Sequence, residues 1–384
     1  MAFSLQARIK HYDWGARGAL SRVVGLESSS RREAEIWWGN HPLAACSIDT
    51  PDGVTDFSLW LEENRVTFPL LVKLLAAQRP LSIQVHPDQL QAQRGFADEQ
   101  AQNIPLDAWE RTYKDQSSKP ELLLALSDEF VGLAGFVTET TIRDRLTRWG
   151  HAGLPQTLLS LMDGLAANAQ EASRMITLQL PPTDSLIREL DDWLVSVDSS
   201  VLDKQTAQEL RLLQRVSATH PNDAGILFAF LMHHIYLRRG EALFVAAGDV
   251  HAYLEGFGLE VMLPSDNVIR AGLTSKHKDT AAFLELSNFT MSSGPRLVYP
   301  VEENFVATYE GFEADFAVRC VRFGAAEFVI TRPSVCFIEF GDALVENSGA
   351  KIVNQGATVF ALPGERLTPH SEDAVVWVVY STKD

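Results

Sequence analysis

Cysteine is scarce in this chain: three residues, Cys46, Cys320 and Cys336, among 384. They make neither a disulfide framework nor a CxxC pair, which excludes a small domain stapled by cystines. Long apolar runs are missing too, and no segment approaches the roughly 20 apolar residues of a membrane span. Residues 1–10 lack the continuous apolar stretch and small-residue cleavage site of a signal peptide, so a cytoplasmic protein with no membrane partner is expected. Positive charge is in deficit, with 33 Lys and Arg against 50 Asp and Glu and a formal net charge of -17. That balance offers no broad basic face and excludes nucleic acid as a partner. No Walker sequence occurs, and no Gly-x-Gly-x-x-Gly follows a strand, so a nucleotide loop is not expected. What remains is ordinary: 46% apolar and 22% charged residues, the balance of a globular protein. The length predicts two or three domains.

Texture along the chain divides it. From 1 to about 145, short apolar runs such as Phe68-Pro69-Leu70-Leu71-Val72-Lys73-Leu74-Leu75 and Glu121-Leu122-Leu123-Leu124-Ala125-Leu126 are broken by Gly, Pro and Asp and read as buried strands. From 146 to 220, Leu158, Leu159, Leu161 and Met162, then Leu186, Leu190, Trp193 and Leu194, then Leu210, Leu213 and Val216 recur at helical spacing. This predicts a helical insertion, broken at Pro181-Pro182 and Asp198-Ser199-Ser200, acting as packing support or as a lid. Strand-like runs return after Pro221-Asn222-Asp223. Gly256 and Gly258 suggest a tight turn between two strands. From about 300 onwards short strands recur every 8–12 residues, the rhythm of a β-sandwich or jelly roll. The expected fold is therefore mainly β with a helical insertion. Residues 1–145 and 221–300 form one domain, 146–220 the helical domain, and 301–384 a C-terminal one.

The residues that carry chemistry stand in a few short words. Gln84 and His86, in Ser-Ile-Gln-Val-His-Pro (82–87), are alternate residues of a strand and share one face. Glu121, in Lys-Pro-Glu, follows Pro120 and is held extended, able to project into a pocket. His251 stands in Gly-Asp-Val-His-Ala-Tyr. Together they are a nitrogen and oxygen donor set that suits Zn²⁺ without a thiolate. Each alone has a plainer reading: a core histidine, a strand hydrogen-bonder, a surface carboxylate. Arg270, Lys276, His277 and Lys278 form a local basic cluster, notable in so acidic a chain, in which His277 and Lys278 read as a solvated loop. Adjacent His233 and His234 diverge and cannot easily share a metal. Trp37, Trp38 and Trp14 read first as core side chains.

The words themselves resemble a family. Ser-Ile-Gln-Val-His-Pro-Asp (82–88), Lys-Pro-Glu-Leu (119–122), His251-Ala-Tyr-Leu-Glu-Gly, Leu-Glu-Val-Met (259–262) and Ser-Asp-Asn-Val-Ile-Arg-Ala-Gly-Leu-Thr (265–274) resemble type I mannose-6-phosphate isomerases. Tyr12-Asp13-Trp14-Gly15, Glu33-Ala34-Glu35-Ile36-Trp37 with His41-Pro42, and Tyr113-Lys114-Asp115 extend the likeness over residues 1 to about 300. The resemblance implies two cupin-like jelly rolls with a helical domain inserted in the first. It also implies one Zn²⁺ per chain and interconversion of mannose 6-phosphate and fructose 6-phosphate, a small-molecule sugar phosphate being the partner of an expected monomer. The family's zinc ligands carry over to Gln84, His86, Glu121 and His251, and its catalytic arginine to Arg270. Its pocket residues carry over to Ser82, Lys119, Glu260 and Lys276, and Trp14, in a family word, is expected to line the same pocket. The chain departs from the family at Ser118, where members commonly carry a histidine assigned to ring opening. With no nucleotide loop, a fused nucleotidyltransferase of the kind found in bifunctional relatives is not expected.

The implied reaction moves a proton between C1 and C2 through an enediol(ate). It needs an acid–base group, a stabiliser for the developing oxyanion and a grip on phosphate. Arg270 suits the oxyanion or the phosphate, and Lys276 the phosphate. Lys119 and Glu260 are expected to share proton handling, with Lys119 slightly favoured. Neighbouring Zn²⁺ and arginine bring a lysine nearer its operating range and push a glutamate further from it. Two rival readings use the same residues. Two histidines and a carboxylate are also the facial triad of an Fe²⁺ oxygenase, against which Gln84 and the Arg270/Lys276 pair speak. A catalytically silent sugar-phosphate sensor rests only on Ser118.

Overall fold

In the computed structural model, the first strand of the chain does not join its sequence neighbours. The structure describes residues 2–41, 46–179, 183–346 and 350–383, residues 183 and 184 by their backbone alone. Pro42 and the Pro181-Pro182 break lie outside the described residues. Phe3–Gln6 sits between Thr358–Ala361 and Ser47–Thr50 in a nine-stranded sheet that ends on Gly53–Asp56 and otherwise holds strands of the C-terminal region. Residues 1–145 are thus shared between two sheets. The alternation of apolar residues shows that a segment is a strand, but not which distant edge it will pair with.

A twelve-stranded system carries the rest of the N-terminal half. Its central path runs Leu297–Val298, Ala242–Val245, Glu121–Ala125, His251–Met262, Leu71–Ala77, Glu35–Gly39 and Ile9–Lys10. The twelve-residue strand His251–Met262 is its spine. Its C-terminal half pairs with Glu121–Ala125 and Leu71–Ala77, and its N-terminal half with Glu129–Val137 and Ile83–Val85. Gly256 and Gly258 lie inside this strand and not in the turn expected of them. A Cβ on Gly256 would stand 2.9 Å from Phe130 Cα, and one on Gly258 2.9 Å from Leu124 O, so neighbouring chains approach too closely for a side chain. A register shift between Val131 and Gly132 opposes Glu255 and then Tyr253, skipping a residue of the spine. That bulge changes the parity, so His251 and Tyr253 face the same side as Glu260.

Helices Glu139–His151, Gln156–Leu165, Ala169–Thr177, Thr183–Ser196, Lys204–Thr219 and Gly225–Leu231 form a wider helical region than 146–220. Three of them are capped by side chains at their starts: Thr138, Asn168 and Asp203 each accept the amide three residues on. Trp149, Leu158, Met162, Leu190 and Leu213 make a core that also takes in Ile83 and Val85. A second core, with Trp38, Leu74, Leu124, Phe337, Phe360 and Trp377, fills the space between the twelve- and nine-stranded sheets. A third lies between the nine-stranded sheet and the four-stranded sheet built on Asp342–Glu346. The architecture is two cupin-like jelly rolls with a helical domain packed on the first.

Candidate metal centre and cleft

The strand Ile83–Val85 divides its side chains as the period of two requires. Ile83 and Val85 are fully buried against the helices, while Gln84 and, just beyond the strand end, His86 turn inwards. The spine begins with His251, opposite Gln84, and Glu121 opens the strand paired to the spine's far end at Met262. One donor atom each of His86, Glu121 and His251 lie within 4.8 Å of one another, all three side chains buried. His86 Nε2 stands 3.2 Å from Glu121 Oε1, and His251 Nε2 3.5 Å from Glu121 Oε2.

The surrounding hydrogen bonds orient both imidazoles. His86 Nδ1 meets the Asn267 carbonyl at 2.7 Å and His251 Nδ1 meets that of Asp249 at 3.0 Å. A carbonyl only accepts, so each Nδ1 carries the proton and each Nε2 presents a lone pair to the cluster. Burial, then the Lys119 charge, pull the His86 imidazole down to about 4, so it is neutral at physiological pH. Burial opposes ionisation of Glu121, but the Lys119 ammonium outweighs it and holds the carboxyl well below the usual range. His86 Nε2 is buried and satisfies no hydrogen bond. Such an orphan is costly in a protein interior and is what a metal would relieve. Gln84 Nε2 lies 3.3 Å from His251 Nε2, and its Oε1 accepts from Ser82 Oγ at 3.4 Å. Turning the amide over exchanges oxygen for nitrogen at the cluster, and the Ser82 hydroxyl accepts as readily as it donates. The donor set fits a single Zn²⁺-like ion.

The cluster backs onto a cleft of about 700 Å³ lined by Trp14, Ser82, Gln84, Lys119, Glu121, Glu260, Arg270 and Lys276. His86 and His251 sit behind this wall with no exposed surface. Lys119 Nζ is 2.8 Å from Glu121 Oε1. Arg270 pairs in register with Gln84 on the adjacent strand, and its guanidinium donates to Val268 O at 3.3 Å. Among the described residues no carboxylate forms an ion pair with Arg270 or Lys276. Partial desolvation and then the Arg270 charge pull the Lys276 ammonium down. Two neighbouring cations with no carboxylate partner among the described residues, in an acidic protein, make a place for an anion.

Several cleft residues escaped the sequence reading. Trp37, Lys73, Glu260 and Leu123 stand side by side across four neighbouring strands. Lys73 Nζ lies 3.4 Å from Glu260 Oε2 and 3.9 Å from Glu35 Oε1, and Trp37 Nε1 donates to Glu35 at 3.0 Å. Burial works against the Lys73 charge, yet Glu35 and Glu260 raise its pKa. Tyr253 donates to Glu121 Oε2 at 3.3 Å, and Asp266 meets His41 Nε2 at 3.4 Å. The signal for Lys73 was present: a lone lysine inside an apolar run, which a buried strand keeps only when it is paired. Glu260 lies among both carboxylates and ammonium groups in the metal-free site. Burial, with Glu121 next, pushes its carboxyl up to about 7 against the pull of Lys73 and Lys119. Ser118 does not line the cleft; its amide donates to Gln89 Oε1 at 3.3 Å.

A jelly roll with a buried two-histidine, one-carboxylate cluster behind a polar cleft defines a metal-dependent enzyme of the cupin type. Comparison with known proteins narrows the class. Residues 2–138 match the family model for the catalytic domain of type I phosphomannose isomerase. The chain is 32% identical over 325 residues to mannose-6-phosphate isomerase of Salmonella typhimurium, covering 81% of this chain and 79% of the relative. It is 30% identical over 377 residues to that of Escherichia coli, covering 93% and 94%. A zinc-bound crystal structure of mannose 6-phosphate isomerase superposes with a TM-score of 0.85 at 27% identity over the whole of both chains. The chain belongs to the type I phosphomannose isomerase family.

Proposed function

We propose that this chain interconverts mannose 6-phosphate and fructose 6-phosphate through an enediol(ate), with one zinc ion held by Gln84, His86, Glu121 and His251. The observation that carries the reading is the joining, in one sugar-sized cleft, of a metal cluster with two cations, Arg270 and Lys276, that no described carboxylate pairs. Zinc, when bound, supplies a Lewis acid at the carbonyl end of the sugar. Glu260 takes the proton from C2 and returns it to C1, a task suited to a carboxyl raised to about 7. Lys119, ion-paired to Glu121, shares the proton handling by relaying the hydroxyl proton from O2 to O1. Arg270, beside Gln84, faces the developing oxyanion, and Lys276 at the cleft rim takes the phosphate. Ser82 and Trp14 bound the sugar.

We take the working unit to be a monomer. Three buried free cysteines suit a reducing, cytoplasmic setting. No described helix is long and apolar enough to cross a membrane. The test is elemental analysis of purified protein with a coupled assay on mannose 6-phosphate before and after chelation. Near-stoichiometric zinc is expected, with turnover lost on chelation, restored by Zn²⁺ and unchanged without O₂. Zinc-loaded protein that leaves mannose 6-phosphate untouched would sink the proposal and favour a sensor. Dependence on O₂ would favour an oxygenase.

A further inference from the structure

The strand Ile269–Gly272, which carries Arg270, ends in a segment that turns back along the cleft wall: Leu273, Thr274, Ser275 and Lys276 all line it. The turn depends on Leu273, whose φ of 54° is left-handed. A leucine holds that conformation only where its surroundings impose it. They do so here through the connection between the last two helices of the helical region, Lys204–Thr219 and Gly225–Leu231. Asp223 Oδ1 accepts the Leu273 amide at 2.9 Å and the Gly225 amide at 2.7 Å. Two glycines let the backbones meet at this joint: a Cβ on Gly272 would lie 2.7 Å from Gly225 Cα, and one on Gly225 2.8 Å from Leu273 Cδ2. Leu273 itself is 2% exposed, buried in the helix-facing core. The connection is anchored from behind, the Asn222 amide donating to Asp191 Oδ2 at 2.7 Å and His220 Nε2 meeting Pro80 O at 3.3 Å. Beyond the turn, the Lys276 amide donates to Thr274 Oγ1 at 3.0 Å.

We infer that Asp223, outside the cleft and on the connection between the helices Lys204–Thr219 and Gly225–Leu231, is a positioning residue that fixes residues 273–276 so that Lys276 grips the substrate's phosphate. The inference rests on the phosphate role proposed above for Lys276. One carboxylate oxygen holds two amides, one 2 and the other 50 residues further along the chain, so it sets the relative placement of two elements and not only a local turn. An asparagine side-chain oxygen can accept the same two bonds. A methyl group cannot.

The test compares Asp223→Ala, Asp223→Asn and Lys276→Met in the zinc-loaded full chain. Measured are KM and kcat for mannose 6-phosphate, competitive inhibition by inorganic phosphate, and thermal midpoint. Asp223→Ala is expected to raise KM and the phosphate inhibition constant together, by about tenfold, with kcat within about twofold. Asp223→Asn is expected to restore both. A lowered thermal midpoint with unchanged KM and phosphate inhibition in Asp223→Ala would overturn the inference and leave Asp223 a purely structural residue. Loss of phosphate affinity in Lys276→Met with none in Asp223→Ala overturns the positioning role alone. No loss in Lys276→Met overturns the phosphate reading beneath it. Should Asp223→Ala fail to fold, Asp223→Glu, which keeps the charge but displaces the oxygen, takes its place with the same expected rise.

Discussion

Glu260 faces Lys73 across adjacent strands, and each is nearly sealed from water. A carboxyl raised to about 7 from an ordinary 4.5 binds its proton more tightly in the folded chain than in the unfolded one. Its contribution to stability is therefore greatest below about pH 4.5 and is lost as pH rises through 7. Melts of metal-free protein should show that decline, and Glu260→Gln should flatten it. The same substitution in zinc-loaded enzyme is expected to lower kcat by about 10²–10⁴ with zinc content unchanged. Lys73→Met removes the cation that most opposes protonation of Glu260. The acid limb of the kcat/KM profile should then move to higher pH, and stability should fall by about 3–5 kcal/mol as the buried acids lose their partner. An acid limb that stays in place would argue that Glu260 is not the group titrating. The words around Gln84, His86, Glu121 and His251 made those four residues legible in the sequence. Lys73 and Glu35 are harder to read, since their meaning arises only when separate strands bring them beside Glu260.

At the scale of elements, the ligand strand depends on what lies behind it. Ile83 and Val85 are fully buried against the helical domain, one residue either side of Gln84. Ile83→Ala is expected to cost about 2–5 kcal/mol and to speed zinc loss, read as the rate of transfer to a chromogenic chelator. Zinc release at the wild-type rate would show that the cluster is held without that backing. Helical spacing of Leu158, Met162, Leu190 and Leu213 announced the insertion, because the 3.6-residue period is a local property. The spine was less legible. Gly256 and Gly258 read as a turn because close approach of Phe130 and Leu124 is a tertiary fact with no local signature. The bulge that brings His251 and Glu260 to one face is equally silent in the sequence, since it arises in the pairing of two strands.

Over the whole molecule, the two jelly rolls share a core and several polar ties. Phe316, Val318, Val335, Phe337, Phe360 and Trp377 pack with Ile36, Leu74, Leu124 and Leu259. Arg239 reaches Glu339 at 2.6 Å, Trp377 Nε1 donates to the same carboxylate at 2.8 Å, and Tyr309 Oη donates to Gly240 O at 2.7 Å. Truncation after residue 300 strips one side from that core. The shortened chain is expected to aggregate or to melt without a cooperative transition, although every proposed site residue is retained. A soluble, active fragment would show the two halves to be independent. The rhythm of short strands after residue 300 signals a jelly roll, but nothing in it reveals that the roll borrows strands from the other end of the chain.

Phe3 pairs with Phe360. A ribosome adding about 5–20 residues each second therefore exposes the opening segment for roughly 20–70 s before its neighbour on that side has been made. During that interval the nascent chain carries a ready β-edge with no mate, a natural client for a holding chaperone. The yield of native protein should therefore respond to how fast the message is read as well as to how stable the finished fold is.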